Sequence, residues 1–441
     1  MSAKLPPGPG YPGIVNTILW LRMMMPLLER SRRRYGDVWT LRMMRGATFV
    51  FISDPALVEQ VLTTDTSVLH GEAQVISPLV GKNSVLVLNG PEHTTQRKLL
   101  LPSLHGDKIN NYHDDIRRLC EGEIASWSLG EPFELLPRME ELTLSAIMTV
   151  VFGMTIEDRR EELRRRVRAL TRYRDKPWTP VILQVAYMRG VDPPGSFKSV
   201  RGAIDEMLHE EIKRTREDPD LDERQDILAS LVQAKHDDGS PMTDEEIRDE
   251  LITLLIQGHT STATALSWAL ERVVRHPGVH ERLRAEAETD SDEYLDAVIK
   301  ETLRLRTPIP VVGRRVVGQP YQLGEWELPP ATMIMLNALM LHQRPDVYAE
   351  PERFRPQRFV EQPAGKYTWI PFGGGPRACI GRSFATLEMK VVLRMLTSLV
   401  RLEPVDQRDE HLRRRGVVLS PTEGARMRLL ERSPVVPAAV S

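Results

Sequence analysis

Apolar residues recur at helical spacing over one long stretch, at Ile247, Leu251, Leu254, Leu255, Ala265, Leu266, Ala269, Leu270, Val273 and Val274. This predicts a single helix with a buried face. Thr243 and Glu246 stand at the spacing of a capping box, in which each side chain satisfies the other's backbone N–H. His276, Pro277 and Gly278 end the run, since proline cannot continue a helical hydrogen-bond ladder. At about 1.5 Å per residue the helix is about 50 Å long, enough to cross a whole domain. Further helical patterns cover 292–305, stopping before Pro308, and 382–399. Strand-like pieces are short, at 38–41, 48–52, 311–317 and 333–336. Strands do not alternate with helices, so the pattern predicts a mainly α chain with small β-sheets, not a βαβ fold.

Composition adds little to this picture. The chain has 441 residues, 41% hydrophobic and 27% charged, with a net charge of −2, so no nucleic acid or other polyanion is implied as a partner. The apolar stretch 14–28 carries Arg22 and Pro26 and is about five residues short of a bilayer span. It also lacks the order of a signal peptide. No transmembrane anchor is expected. Tyr11, Ile18, Leu19, Trp20 and Met23 to Met25 are expected to pack on the body, because an interfacial helix shows a strongly basic polar face.

The candidate chemistry centres on Phe372-Gly373-Gly374-Gly375-Pro376-Arg377-Ala378-Cys379-Ile380-Gly381. Gly373, Gly374, Gly375 and Gly381 allow a close backbone approach and positive φ without steric cost. They also leave amide N–H groups free to aim at a thiolate, and such bonds tune a metal. Arg377 offers a bidentate fork for a carboxylate. Cys120 and Cys379 are read as free thiols, because a bridge would consume the candidate ligand, and this implies a reducing, cytoplasmic compartment.

The run fits Phe-x-x-Gly-x-Arg-x-Cys-x-Gly at every fixed position, and it resembles the haem-binding loop of the cytochrome P450 family. The resemblance implies haem b, with Cys379 as the iron ligand and Phe372, Arg377 and Gly381 at the cofactor. It implies one fold with a long central helix over the haem: an N-terminal proline-rich segment and first helix over 1–30, packed on the body, and the haem domain over 31–441. Ala297-Val298-Ile299-Lys300-Glu301-Thr302-Leu303-Arg304 resembles the family's Glu-x-x-Arg helix, and Phe354-Arg355-Pro356-Gln357-Arg358-Phe359 its Phe-x-Pro-x-Arg-Phe segment. The family's structural network is then Glu301, Arg304 and Arg358, with Arg353 out of register. His93 and Arg97, four apart, resemble the pair that grips the haem propionates. Arg314 stands where another propionate partner is usual, with Arg315 competing for the role.

Ile256-Gln257-Gly258-His259-Thr260-Ser261-Thr262-Ala263 resembles the oxygen-binding segment Ala-Gly-x-(Asp or Glu)-Thr-(Thr or Ser). Gly258 matches the glycine that gives oxygen room, and Ser261, followed by Thr262, the alcohol position. Thr260 occupies the acid position and cannot serve as an acid, and no carboxylate lies between Glu250 and Glu271. His259 is expected to point about 100° away from position 260. These hydroxyls also have a plain use, back-bonding to the carbonyl four residues earlier.

By family position the pocket is lined from 70–87, 178–188, 254–262, 308–312 and the turn Val417-Val418-Leu419, largely aliphatic, which suits a hydrophobic small molecule. The chain has no cysteines to spare for an iron–sulfur cluster, so electrons come from a ferredoxin or flavoprotein reductase. Arg97, Lys98, Arg377, Arg382 and Lys390 are expected near the cysteine side, where they would steer an acidic donor. The resemblance implies a monooxygenase. The departure at Thr260 keeps two alternatives open, a peroxygenase or isomerase, and a haem sensor or ligand-binding protein without turnover.

Overall fold

A computed structural model of the chain describes residues 5–153, 159–174, 176, 179–191, 193 and 195–433. The apolar N-terminal stretch forms two helices, α1 (Gly13–Arg22) and α2 (Met24–Tyr35), broken where Met23 leaves helical geometry. Met24, Leu27 and Leu28 bury against Trp39, Leu41 and Phe51. Pro7 O accepts from Thr40 N at 2.8 Å, which lays the proline-rich segment along the first strand. Among the described residues no helix is long and apolar enough to cross a membrane.

Strands β1 (Val38–Arg42), β2 (Thr48–Ile52), β3 (Leu69–Gly71), β4 (Val311–Val316) and β5 (Met333–Asn337) form one sheet in the order β1-β2-β5-β4-β3. Only β2 and β5 pair in parallel; β3 meets β4 with Gly71 opposite Arg314. Helices α3 (Gly90–Leu104) and α4 (Leu135–Phe152) precede the long helix α5 (Asp244–Val274). The capping box is present, with Glu246 Oε2 accepting from Thr243 N at 2.7 Å and Thr243 Oγ1 accepting from Glu246 N at 3.2 Å. α5 packs most extensively against α4, and both run through the largest apolar core. Helix α6 (Glu293–Leu305) and the helix after the cysteine loop, α7 (Arg382–Leu399), pack against α5 and each other. A hairpin of β6 (Leu412–Arg415) and β7 (Val418–Pro421) is pinned to α5, where Trp268 Nε1 donates to Leu419 O at 3.0 Å. The short strands around 132–134, 321–328, 400–404 and 426–432 were not apparent from hydrophobic alternation.

Candidate active site

The cysteine loop is folded by its glycines and by a backbone clasp. Cys379 N donates to Phe372 O at 2.8 Å, closing the loop on itself. Gly373 (φ 67°) and Gly375 (φ 66°) occupy the left-handed region, where other residues are strained. A Cβ at Gly375 would collide with the Leu62 carbonyl. The expectation of positive φ fails at the other two glycines. Gly374 is extended and packs on Leu62, and Gly381 has φ −85°, so its use lies in its amide. Cys379 lies deep enough for burial to push its thiol pKa up, while the Gly381 N–H, Arg97 and Arg382 pull it down. Yet much of the residue's surface is exposed. A thiol both surrounded by protein and reachable lines a cleft.

Four basic groups from three segments converge beside this loop. Arg97 Nη1 donates to Ala378 O at 2.8 Å. Arg377 turns inward, donating to the Leu88 carbonyl and to Asn89 Oδ1 at 2.5 Å, and a Cβ at Gly71 would collide with its guanidinium. Arg314 is buried on β4 and bonds the Gly313 carbonyl at 2.9 Å. Arg315, the competing residue, is paired with Glu72 at 2.7 Å, so its charge is already neutralised. Burial, with Arg377, Arg97 and Arg314, depresses the pKa of His93 to about 4. Burial, with Arg314 and Arg97, lowers that of Arg377 to about 10. Among the described residues none of the four meets a carboxylate, and His93 Nδ1 and Arg377 Nε are buried without a partner. Three guanidinium charges and a neutral imidazole gathered this way, with buried ring and guanidinium nitrogens left over, fit a bound dianion, which the propionate edge of a haem would supply.

The long helix presents a narrow strip. From Ile247 to Val273 every residue of α5 is buried except Gln257, Gly258 and Ser261. Gln257 and Ser261 are one turn apart on the same face, and this strip is the part of α5 open to a ligand. Thr260 and His259 are buried on the other side. His259 Nδ1 contacts Leu255 O at 2.6 Å and its Nε2 lies 3.3 Å from Thr260 Oγ1. A carbonyl only accepts, so Nδ1 carries the proton, and Nε2 is left facing the Thr260 hydroxyl. The expected divergence of His259 from Thr260 is therefore incorrect: back-bonding turns the ring along the helix until its far nitrogen reaches the neighbour. Thr262 is buried as well. The Cβ position of Gly258 faces Ile147 Cγ1 at 3.0 Å, so this glycine secures the close approach of α5 to α4. Gln257 was not singled out from sequence. Its place four residues before Ser261 was the available signal.

Behind the loop, Glu301 accepts from Arg304 Nε at 2.7 Å, Arg304 Nη2 at 3.0 Å and Arg358 Nε at 3.1 Å, with all three side chains buried. Arg304 also ties the carbonyls of His342 and Pro351, at 2.8 and 2.7 Å, and Arg358 that of Ala349, at 2.8 Å. Arg353 points to solvent and pairs with Glu350 at 2.6 Å. Of the expected lining, Val418 and Leu419 are buried, with Leu419 N donating to Pro308 O at 2.8 Å, whereas Val417 is exposed; Trp178 lies outside the described residues. A groove of about 470 Å³ runs beside the cysteine loop, lined by Trp369, Phe372, Arg382, Asp296 and Lys390. The expected basic surface is thinner than the sequence suggests. Arg97 and Arg377 turn inward, Lys98 pairs with Asp237 at 3.6 Å, and Lys390 is held between Asp292 and Asp296, at 3.2 and 2.9 Å.

The family model for cytochrome P450 matches residues 6–428. The chain is 37% identical over 436 residues to a Mycobacterium tuberculosis protein named "Putative cytochrome P450 135B1", covering 97% of this chain and 92% of that one. It is 36% identical over 432 residues to the same organism's "Putative cytochrome P450 138", covering 96% of each. Among solved structures, retinoic acid-bound cyanobacterial CYP120A1 superposes with a TM-score of 0.83 at 23% identity, covering 97% of this chain and 99% of that one. The cytochrome P450DA haem domain gives 0.80 at 21% identity, covering 98% of each chain. The mainly helical fold with its small sheets matches these solved structures, and the family model and the sequence relatives show the rest: the chain belongs to the cytochrome P450 family, and it is a haem-containing oxidoreductase of the monooxygenase type.

Proposed function

We propose that the chain inserts one atom of dioxygen into a hydrophobic small molecule in the cytoplasm, with electrons from a separate ferredoxin or flavoprotein reductase. The observation that carries this reading is the strip of Gln257, Gly258 and Ser261 on an otherwise buried helix. Haem, when bound, supplies the activation and transfer of oxygen. The Cys379 thiolate would hold its iron, with its charge held by the Gly381 N–H and by Arg97. His93, Arg97, Arg314 and Arg377 would hold the propionates, which would supply anionic partners for this basic cluster. Ser261 Oγ is the hydroxyl on the open face, and the Gln257 amide one turn away is placed to hold water beside it. Glu301, Arg304 and Arg358 keep the segment 342–358 fixed behind the loop. Residues 31–441 form the haem domain, with 1–30 as its N-terminal extension. Donor docking would use the groove beside Phe372, where Arg382 stacks on Trp369 and Phe372.

A peroxide-driven or isomerising enzyme is the second reading, favoured by Thr260 at the acid position with its hydroxyl directed to His259. The deciding experiment screens hydrophobic ligands by the shift of the haem absorption band. The best ligand is then turned over with a reductase system and, separately, with peroxide. Product formed with the reductase system and dioxygen supports the first reading; product formed only with peroxide supports the second.

A further inference from the structure

The outward face of α1 is apolar. Ile14 is 57% exposed and Ile18 52%, with Val15 and Leu21 exposed on the same side, while Asn16, Leu19 and Trp20 face inward. Two neighbouring segments extend the patch. The short turn at Met44–Gly46 is tied to α1, where Thr17 Oγ1 accepts from Met44 N at 3.0 Å and Asn16 Nδ2 donates to Arg42 O at 2.8 Å, and Met44 is exposed beside it. The β6–β7 turn is tied by Arg414, which donates to Trp20 O and Gly416 O, both at 2.8 Å. That leaves Val417 61% exposed at its tip.

The charges within the segments that build the patch have one sign. Arg22, Arg42, Arg45 and Arg413 are exposed in or beside it. The three segments that build it, 5–28, 38–52 and 411–419, contain no aspartate or glutamate. Sequence alone favoured packing for α1 because no basic face was visible along the helix. The structure supplies that face from other segments, Arg42 and Arg45 from one turn and Arg413 from the hairpin.

We infer that this face is an interfacial anchor that lays the enzyme on an anionic phospholipid bilayer, with Ile14, Ile18, Leu21 and Met44 entering the headgroup boundary and the arginines meeting lipid phosphates. An exposed apolar surface with a cationic fringe is what such an interface requires. A second copy of the chain fits less well, since a two-fold contact would set the same arginines opposite one another, and the segments that build the patch hold no carboxylate to separate them.

The test uses the full-length, haem-loaded protein and vesicle flotation. Phosphatidylglycerol-containing vesicles are expected to carry the protein up the gradient, pure phosphatidylcholine vesicles much less, and salt is expected to weaken the effect. The triple variant Ile14→Ser, Ile18→Ser, Leu21→Ser replaces exposed side chains only, so its haem spectrum is expected to be unchanged while binding falls about tenfold or more. Arg22→Gln with Arg45→Gln is expected to remove the preference for anionic lipid. Three results overturn the inference: no flotation with either vesicle, flotation unchanged in the triple variant, or a lipid-free dimer that the triple variant abolishes.

Discussion

Arg358 Nε sits 3.1 Å from Glu301 Oε1, and neither side chain has appreciable contact with solvent. The same oxygen accepts from Arg355 N at 2.8 Å, so one carboxylate anchors both the α6 helix and the segment that follows Phe354. Removing either partner strands a buried charge. Glu301→Ala or Arg358→Ala is therefore expected to cost about 3–5 kcal/mol. Both should give haem-poor protein, measured as haem per chain and as a fall in thermal midpoint. Arg353→Ala removes only an exposed pair with Glu350 and should leave both readouts unchanged. Equal haem content in all three variants would contradict the network.

Cys379 is expected to give the reduced, carbon monoxide-treated protein its red-shifted thiolate absorption. Cys379→Ser should lose that band. Cys120→Ala should keep it, because Cys120 is packed in the apolar core and burial pushes its thiol pKa upward, away from the thiolate. A Cys379→Ser protein with the band intact would remove the residue from the iron.

These two sites were expected from the sequence on different grounds. A glycine-rich turn around a thiol is local chemistry at short spacing, whereas Glu301, Arg304 and Arg358 were assigned together through the resemblance to two family segments, Arg358 lying far along the chain from Glu301. What the sequence hid depends on contacts between distant segments. Arg314 and Arg315 are equivalent on a strand until Glu72 neutralises one of them. Gly258 reads as room for a ligand until Ile147 is found against it. Gln257 becomes visible only when the rest of α5 is buried around it. The N-terminal apolar stretch gives no sign that Met23 breaks it, or that the next turn and a C-terminal hairpin complete its surface.

Glu250 supplies a pH prediction independent of haem. It is fully buried, accepting from Val85 N at 2.7 Å and Gln96 Nε2 at 3.0 Å, and burial, opposed by these bonds, raises its pKa to about 8. Its folded pKa lies above the unfolded value, so the folded state holds a proton that the unfolded chain releases. The associated stability is complete below about pH 4.5 and is lost as pH rises toward 8, on the order of 4 kcal/mol. Glu250→Gln keeps the acceptor and removes the titration. It should match the parent near pH 4 and exceed it at pH 8.5 in denaturant melts. Parallel stability curves across that range would contradict the assignment.

The last prediction concerns Ser261 and Thr260, adjacent on α5 but facing different surroundings. Ser261 is partly open on the strip, while Thr260 is buried with its hydroxyl directed to His259 Nε2 at 3.3 Å. No carboxylate lies on α5 between Glu250 and Glu271, so on the proposed reading protons would reach the open face through Ser261 Oγ and water beside Gln257. Slow delivery along such a path lets reduced oxygen escape as peroxide before substrate is oxidised. NADPH consumption with a generic redox system is thus expected to exceed product formation. Ser261→Ala should lower product by about tenfold or more while NADPH consumption continues, since it removes the one hydroxyl on the strip. Thr260→Glu should raise the ratio of product to NADPH, because it places a carboxylate beside His259, at the acid position that the resemblance to the oxygen-binding segment implies. The two measurements together are decisive. Coupling already near complete in the parent, or a ratio unmoved in both variants, would mean that protons reach the site by a route that bypasses this helix.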